Sequence, residues 1–79
     1  MGRRDIYGEE RKRRIIKFIK DYKEQNGFSP SIKNISDSLN LNSTSLVLFY
    51  LKNLEQKGYI TRNKNISRSI CLLRDEYNG

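Results

Sequence analysis

Hydrophobic residues recur at helical spacing along residues 42–58, NSTSLVLFYLKNLEQKG. At about 100° per residue, four of them share one side and predict a buried stripe: Val47, Tyr50, Leu51 and Leu54. Asn42 or Ser43 can cap the first N–H groups of this helix, and Gly58 suits the left-handed residue that ends it. The helix should then expose the opposite side: Ser45, Phe49, Lys52 and Gln56.

Two further helices are predicted before this one. Residues 9–26 place four apolar residues on one face: Ile15, Phe18, Ile19 and Tyr22. Their basic residues, from Arg11 to Lys23, are expected mainly on a solvated face. A short helix then runs from the N-cap Ser31 to about Leu39, and its buried stripe is Ile32, Ile35 and Leu39. Two short helices joined through Asn40 and Leu41 form a helix-turn-helix pattern.

After Gly58 the period changes from 3.6 to 2. Tyr59, Ile60 and Thr61 suit a strand, residues 63–65 (NKN) suit a turn, and residues 66–73 predict a returning strand with Ile70 and Leu72 on one face. The predicted fold is mainly α with a small β-hairpin: three helices followed by a two-stranded wing. The tip of this hairpin is expected to carry Arg62, Lys64 and Arg68.

One small domain accounts for the chain. Residues 1–8 read as a flexible basic arm, residues 9–73 as the folded domain and residues 74–79 as a polar tail. The chain has no apolar run near the roughly 20 residues that span a bilayer. Its basic N-terminus precedes no apolar segment, so we expect no signal peptide. The single cysteine, Cys71, suits a small strand residue and a reducing cytoplasm.

The net charge favours a polyanionic partner. Sixteen Lys and Arg residues against nine Asp and Glu leave +7, which suits nucleic acid or an acidic membrane surface. The chain has no histidine and one cysteine, so a structural zinc site is not expected. Without a histidine, a glycine-rich phosphate loop or carboxylates in a predicted pocket, we expect neither an enzyme, nor a cofactor, nor a small-molecule substrate.

Several segments together resemble the N-terminal DNA-binding domain of LexA-type repressors, a winged helix-turn-helix. They are GFSPSIKNIS before the second helix, NSTS at the start of the third, LKNLEQKGYI across the helix–strand junction and SRSICLL in the last strand. The similarity covers about residues 9–73. LKNLEQKGYI alone suits many winged-helix families, whereas its combination with the proline turn and SRSICLL points to LexA.

The resemblance implies that the third helix reads the major groove and that the wing contacts the DNA backbone. By position, Ser43, Ser45, Leu46, Leu48 and Phe49 fall on or beside the reading segment. The family usually has polar or charged residues near positions 48 and 49, so a changed operator is expected. LexA-type proteins continue into a self-cleaving Ser-Lys domain that also dimerises. This chain is expected to be a fragment of such a repressor or a stand-alone protein, without self-cleavage in either case.

These patterns give a hypothesis for DNA contacts by a transcriptional regulator, expected to be a repressor. The phosphate ligands would be Ser31, Lys33, Ser43, Thr44, Lys52, Arg62, Lys64 and Arg68. Base contacts would come from Ser45, Leu48, Phe49 and Thr44, with the two apolar side chains on thymine methyl groups. A homodimer on two half-sites would then be needed for tight operator binding. Exposed Leu48 and Phe49 also leave open a winged-helix module for protein–protein interaction.

Overall fold

Three helices and a two-stranded antiparallel sheet form residues 8–77, the part of the chain that the computed structural model describes. The elements are α1 (Gly8–Asn26), α2 (Ile32–Ser38), α3 (Thr44–Gln56), β1 (Ile60–Thr61) and β2 (Cys71–Leu72). In the sheet, Ile60 pairs with Leu72 and Thr61 with Cys71. The predicted winged helix-turn-helix is therefore confirmed. Residues 1–7 of the expected arm and residues 78–79 lie outside the described range.

Local sequence signals set the helix ends. Ser31 caps α2 through a capping box with Asn34, and Ser43 caps α3 by accepting a hydrogen bond from the backbone N–H three residues on. Gly27 and Gly58 follow α1 and α3 with φ of 82° and 83°, a conformation that side chains disfavour. These predicted starts and stops are confirmed.

The core lies between α3 and the elements that surround it. All four residues of the predicted α3 stripe are at most 1% exposed. The predicted face of α1 is partly wrong, because Ile16 is buried beside Ile15 and Ile19 whereas Phe18 and Tyr22 are only half-buried. Those two aromatic rings contact each other, and Tyr22 also contacts the ring of Phe28 just after the helix. In the predicted stripe of the second helix, Ile35 is fully buried, whereas Ile32 and the C-cap residue Leu39 are partly buried.

The hairpin is shorter than predicted. Its strands have two residues each, and residues 62–70 form a loop that we call the wing loop. The Asn63 N–H donates to Ser69 Oγ at 2.9 Å, and the Asn65 N–H donates to the Asn63 side chain at 2.9 Å. Because these side chains take up the backbone groups, no strand ladder forms before Cys71, which is an exposed residue of β2. Ile66, predicted to begin the strand, is 58% exposed.

The segment after β2 contributes a core residue that the sequence did not indicate. Tyr77 is only 6% exposed, and its ring lies 5.0 Å from that of Tyr59. Its hydroxyl donates to Glu9 Oε1 at 2.7 Å, and Lys12 Nζ lies 3.3 Å from the other oxygen of that carboxylate. These contacts attach the C-terminal segment to the start of α1.

The same contacts change two pKa values. The hydrogen bond from Tyr77, together with Lys12, lowers the pKa of Glu9 below its ordinary value of 4.5. Burial and the neighbouring carboxylate of Glu9 raise the pKa of Tyr77. The lowered pKa keeps Glu9 ionised and the raised pKa keeps the Tyr77 phenol neutral, which are the states in which the phenol donates a hydrogen bond to the carboxylate.

No helix within residues 8–77 is both long and apolar enough to cross a membrane.

The Leu51→Ala substitution should lower the free energy of unfolding by about 2–5 kcal/mol, since it leaves a cavity in a fully buried site. Phe49→Ala is the matched control on the same helix, because its side chain is 62% exposed. Urea unfolding of both variants measures the difference. Equal losses would contradict the assigned orientation of α3.

The Glu9→Gln substitution should flatten the dependence of stability on pH in the acid range. A folded-state pKa below the ordinary 4.5 means that ionised Glu9 stabilises the fold above that pH and that this contribution is lost as the pH falls through the folded pKa. The free energy of unfolding from urea titrations at a series of pH values, from neutral to acid, measures this loss. Tyr77→Phe removes the principal hydrogen bond and should give a similar flattening, whereas a wild-type slope in both variants would contradict the assignment.

Candidate nucleic-acid interface

The exposed side of α3 combines small hydroxyl residues with a large apolar ring. Ser43, Thr44 and Ser45 are exposed at the start of the helix, whose first turn contains no acidic residue. Because the backbone N–H groups of a first turn favour negative charge, this end suits an anion. The predicted outward direction of Ser45, Phe49, Lys52 and Gln56 is confirmed.

Phe49 and Leu48 differ in how far they face solvent. Phe49 is 62% exposed, and the centre of its ring lies 5.7 Å from that of Tyr50 in an edge-on arrangement. Leu48 is partly buried, so the prediction that it is exposed like Phe49 is wrong. An aromatic ring held against the core and open to solvent on the other side is typical of a contact surface.

Side chains of α1 fix α3 from behind. Arg11 Nη1 donates to the Tyr50 hydroxyl at 3.1 Å, and Lys12 Nζ donates to Asn53 Oδ1 at 2.9 Å. Lys12 is only 8% exposed, so the expectation that it belongs to a solvated face is wrong. No local pattern in the sequence indicates this role, because the partners of both side chains are about forty residues further along the chain.

A groove of about 370 Å³ separates the wing loop from the start of α2. It brings together five of the predicted phosphate ligands: Ser31, Lys33, Arg62, Lys64 and Arg68. Its lining contains no acidic residue. The other predicted site residues lie on α3 or at its N-cap: Ser43, Thr44, Ser45, Leu48, Phe49 and Lys52.

The prediction that Arg62 lies at an exposed wing tip is wrong. Its side chain is 9% exposed, and Nε lies 3.3 Å from Glu55 Oε1 of α3. Nε has no hydrogen-bond partner among the described residues, so its contact with this carboxylate is ionic. Arg62 directly follows β1, close to the last turn of α3, and there its charge meets that of Glu55.

Arg68 also lies away from the position predicted for it. Its backbone has φ of 57°, and Nη1 donates to the Tyr22 hydroxyl at 3.0 Å and to the Ser29 carbonyl at 3.3 Å. The guanidinium carbon lies 5.1 Å from the centre of the Phe28 ring. The residue is exposed, but these contacts direct it towards the connection between α1 and α2. The cation at the exposed wing tip, residues 64–67, is Lys64.

The lysines of the candidate site are exposed. Lys33 Nζ lies 3.9 Å from Asp37, and with that side chain 81% exposed the pair is weak. Neither Lys52 nor Lys64 forms an ion pair within residues 8–77. In the same range, no group of three or more His, Cys, Asp or Glu residues could hold a metal ion.

Comparison with known proteins identifies the family. A model of the LexA DNA binding domain matches residues 9–69, from the first turn of α1 into the wing loop. The chain belongs to the LexA DNA-binding domain family. The predicted resemblance is thereby confirmed.

Curated relatives agree with this assignment. The chain is 43% identical to the LexA repressor of Herpetosiphon aurantiacus over 85% of its length, and 42% identical to that of Carboxydothermus hydrogenoformans over 81%. It is 46% identical to the LexA repressor of Corynebacterium diphtheriae over 77% of its length. It spans only 31%, 31% and 26% of these relatives, so the similarity concerns one part of each LexA repressor.

Proposed function

We propose that this domain binds double-stranded DNA as a transcriptional repressor, with α3 in the major groove and the wing loop beside the backbone. The match of residues 9–69 to the LexA DNA binding domain carries the proposal. The net charge of +7 and the absence of acids from the first turn of α3 support it. The domain acts in the cytoplasm as a non-enzymatic module.

Phosphate contacts supply most of the affinity in this proposal. The exposed lysines of the site attract the backbone: Lys33, Lys52 and Lys64. Ser31, Ser43 and Thr44 add hydroxyl groups at the starts of α2 and α3, and the first turn of α3 adds backbone N–H groups. In the groove beside α2, Lys64 forms no ion pair within residues 8–77 and Lys33 is only weakly paired, so these two lysines suit a strand of phosphodiesters.

Base contacts come from Ser45, Leu48 and Phe49, with Thr44 at the edge of the reading segment. Hydroxyl groups discriminate weakly among bases, whereas the thymine methyl group is the apolar feature of the major groove. The 62% exposure of the Phe49 ring supports a contact with that methyl group and a preference for A·T-containing sites.

Specificity per protomer is modest in this account. Residues 43–49 contain no Arg, Asn or Gln, the side chains that usually form bidentate contacts with guanine or adenine. Tight operator binding then needs a homodimer on two half-sites. The second candidate function is a protein–protein interaction module, and exposed Phe49 is the observation that favours it.

Binding to duplex DNA should weaken strongly as salt rises. Engagement of about four phosphates gives a slope of log K against log salt near −3.6, with an expected range of roughly −2 to −6 per domain. Fluorescence anisotropy with a labelled random-sequence duplex at several KCl concentrations measures this slope.

Lys64→Ala should reduce the magnitude of that slope by about 0.9, because one counterion-releasing contact is lost. Lys23→Ala, which removes an exposed charge from α1, is the control and should leave the slope unchanged. An affinity independent of salt would contradict DNA binding and favour the interaction module.

A further inference from the structure

Two arginines attach the wing loop to two different parts of the helical body. Arg68 contacts the connection between α1 and α2, and Arg62 contacts the last turns of α3. Both were predicted as phosphate ligands, but both side chains interact with this chain's own residues. The question is then what these contacts do for DNA binding.

The contacts of Arg68 use two different parts of its guanidinium group. The group packs near the Phe28 ring at 5.1 Å while one nitrogen donates to both the Tyr22 hydroxyl and the Ser29 carbonyl. A lysine would keep the charge, but its single ammonium nitrogen could not both lie over the Phe28 ring and donate to these two oxygens. The left-handed backbone of Arg68, with φ of 57°, shows that the loop adopts an unfavourable conformation where these contacts form.

Arg62 lies at the N-terminal end of the wing loop and contacts α3. With 9% of its side chain exposed, it has little surface left for a phosphate, and its Nε lies 3.3 Å from Glu55. Hydrogen bonds within the wing loop connect Ser69, next to Arg68, to the residues that follow Arg62: Ser69 Oγ accepts from the Asn63 N–H and donates to the Ile66 carbonyl at 2.8 Å. The wing loop therefore contacts the helices through Arg62 near one end and Arg68 near the other, and hydrogen bonds within the loop connect the two ends.

Lys64 is the group whose position depends on this arrangement. It is exposed at the wing tip and is not paired with an acid in residues 8–77. A lysine side chain is flexible, so the direction in which it reaches is set by the backbone that carries it. If the wing loop moved, Lys64 would move with it, whereas Lys33 is carried by α2.

We propose that Arg62 and Arg68 are positioning residues that hold the wing loop so that Lys64 meets the DNA backbone, and that neither is itself a phosphate ligand. This inference rests on the proposed function, because it concerns how the domain holds DNA. Lys64 then supplies the attraction to the DNA backbone, and the two arginines determine where the wing loop holds Lys64.

A double-mutant cycle separates positioning from direct contact. The probe is a short fluorescein-labelled random-sequence duplex in low salt, and the variants are Arg68→Lys, Tyr22→Phe and Lys64→Ala, singly and combined. Tyr22→Phe removes the hydroxyl acceptor of Arg68 without changing any charge. Thermal unfolding of each variant shows whether it is folded at the temperature of the binding assay.

Positioning predicts that Arg68→Lys and Tyr22→Phe each weaken binding about two- to fivefold and that at least half of this loss disappears when residue 64 is already alanine. A direct phosphate contact predicts near wild-type binding for Arg68→Lys, no effect of Tyr22→Phe, or losses that simply add to that of Lys64→Ala. Any of these three results overturns the role of Arg68. If Arg68→Lys does not fold, Tyr22→Phe alone decides the result by the same criteria.

Glu55→Gln tests the role of Arg62, because the two explanations predict opposite changes in the affinity for DNA. Removing an acid near DNA should by itself strengthen binding, and it would also release Arg62 to act as a phosphate ligand. Positioning predicts weaker binding instead, because the wing loop loses its attachment to α3. Unchanged or tighter binding overturns the role of Arg62. Failure of the wild-type domain to bind the duplex would contradict the proposed function, whereas normal wild-type binding with additive losses would overturn this inference alone.

Discussion

Burial of one stripe of α3 is the constraint on which the candidate interface depends. Val47 and Leu51 are fully buried, and the neighbouring Tyr50 and Leu54 are at most 1% exposed. Because successive side chains of a helix are about 100° apart around its axis, burial of this stripe determines which residues face outward, including Phe49. The contacts of Arg11 and Lys12 with α3 add polar restraints to the same orientation. The outer side of α3 is thus a consequence of how the core packs.

The wing loop is positioned by contacts of a different kind. It has little apolar burial, since its strands are only two residues long and Ile66 is exposed. Its place is set instead by the ionic contact of Arg62, the contacts of the Arg68 guanidinium with Phe28 and Tyr22, and the hydrogen bonds around Ser69. A basic residue of the wing loop can therefore hold the loop in place instead of contacting a ligand. Charge counts alone do not separate the two roles.

Features encoded within a few residues of each other could be predicted from the sequence. The stripe of α3, the caps Ser31 and Ser43 and the glycine stops are local, and the structure contains all of them. One error is local, since Ile16 belongs to the buried face of α1 in place of Phe18 and Tyr22, but most of the others concern distant partners. Arg68 meets a hydroxyl 46 residues earlier in the chain, and Tyr77 meets a carboxylate 68 residues earlier. The spacing of apolar residues carries no information about such pairs. The hydrogen bonds of Ser69 were also not predictable from the spacing, and in the structure β2 is limited to Cys71–Leu72 although residues 66–73 suggested a longer strand. Among the predicted site residues, exposure on α3 followed from the pattern, whereas the directions of Arg62 and Arg68 did not.

The central claim is that an exposed apolar ring on α3 reads thymine. The most direct test is an unbiased selection of bound duplexes, run in parallel with the wild-type domain and with Phe49→Ala. The account predicts A·T-containing sites for the wild type, with a thymine position whose enrichment disappears in Phe49→Ala while the remaining positions persist. G·C-rich sites for the wild type, or the same thymine preference without the ring, would contradict it.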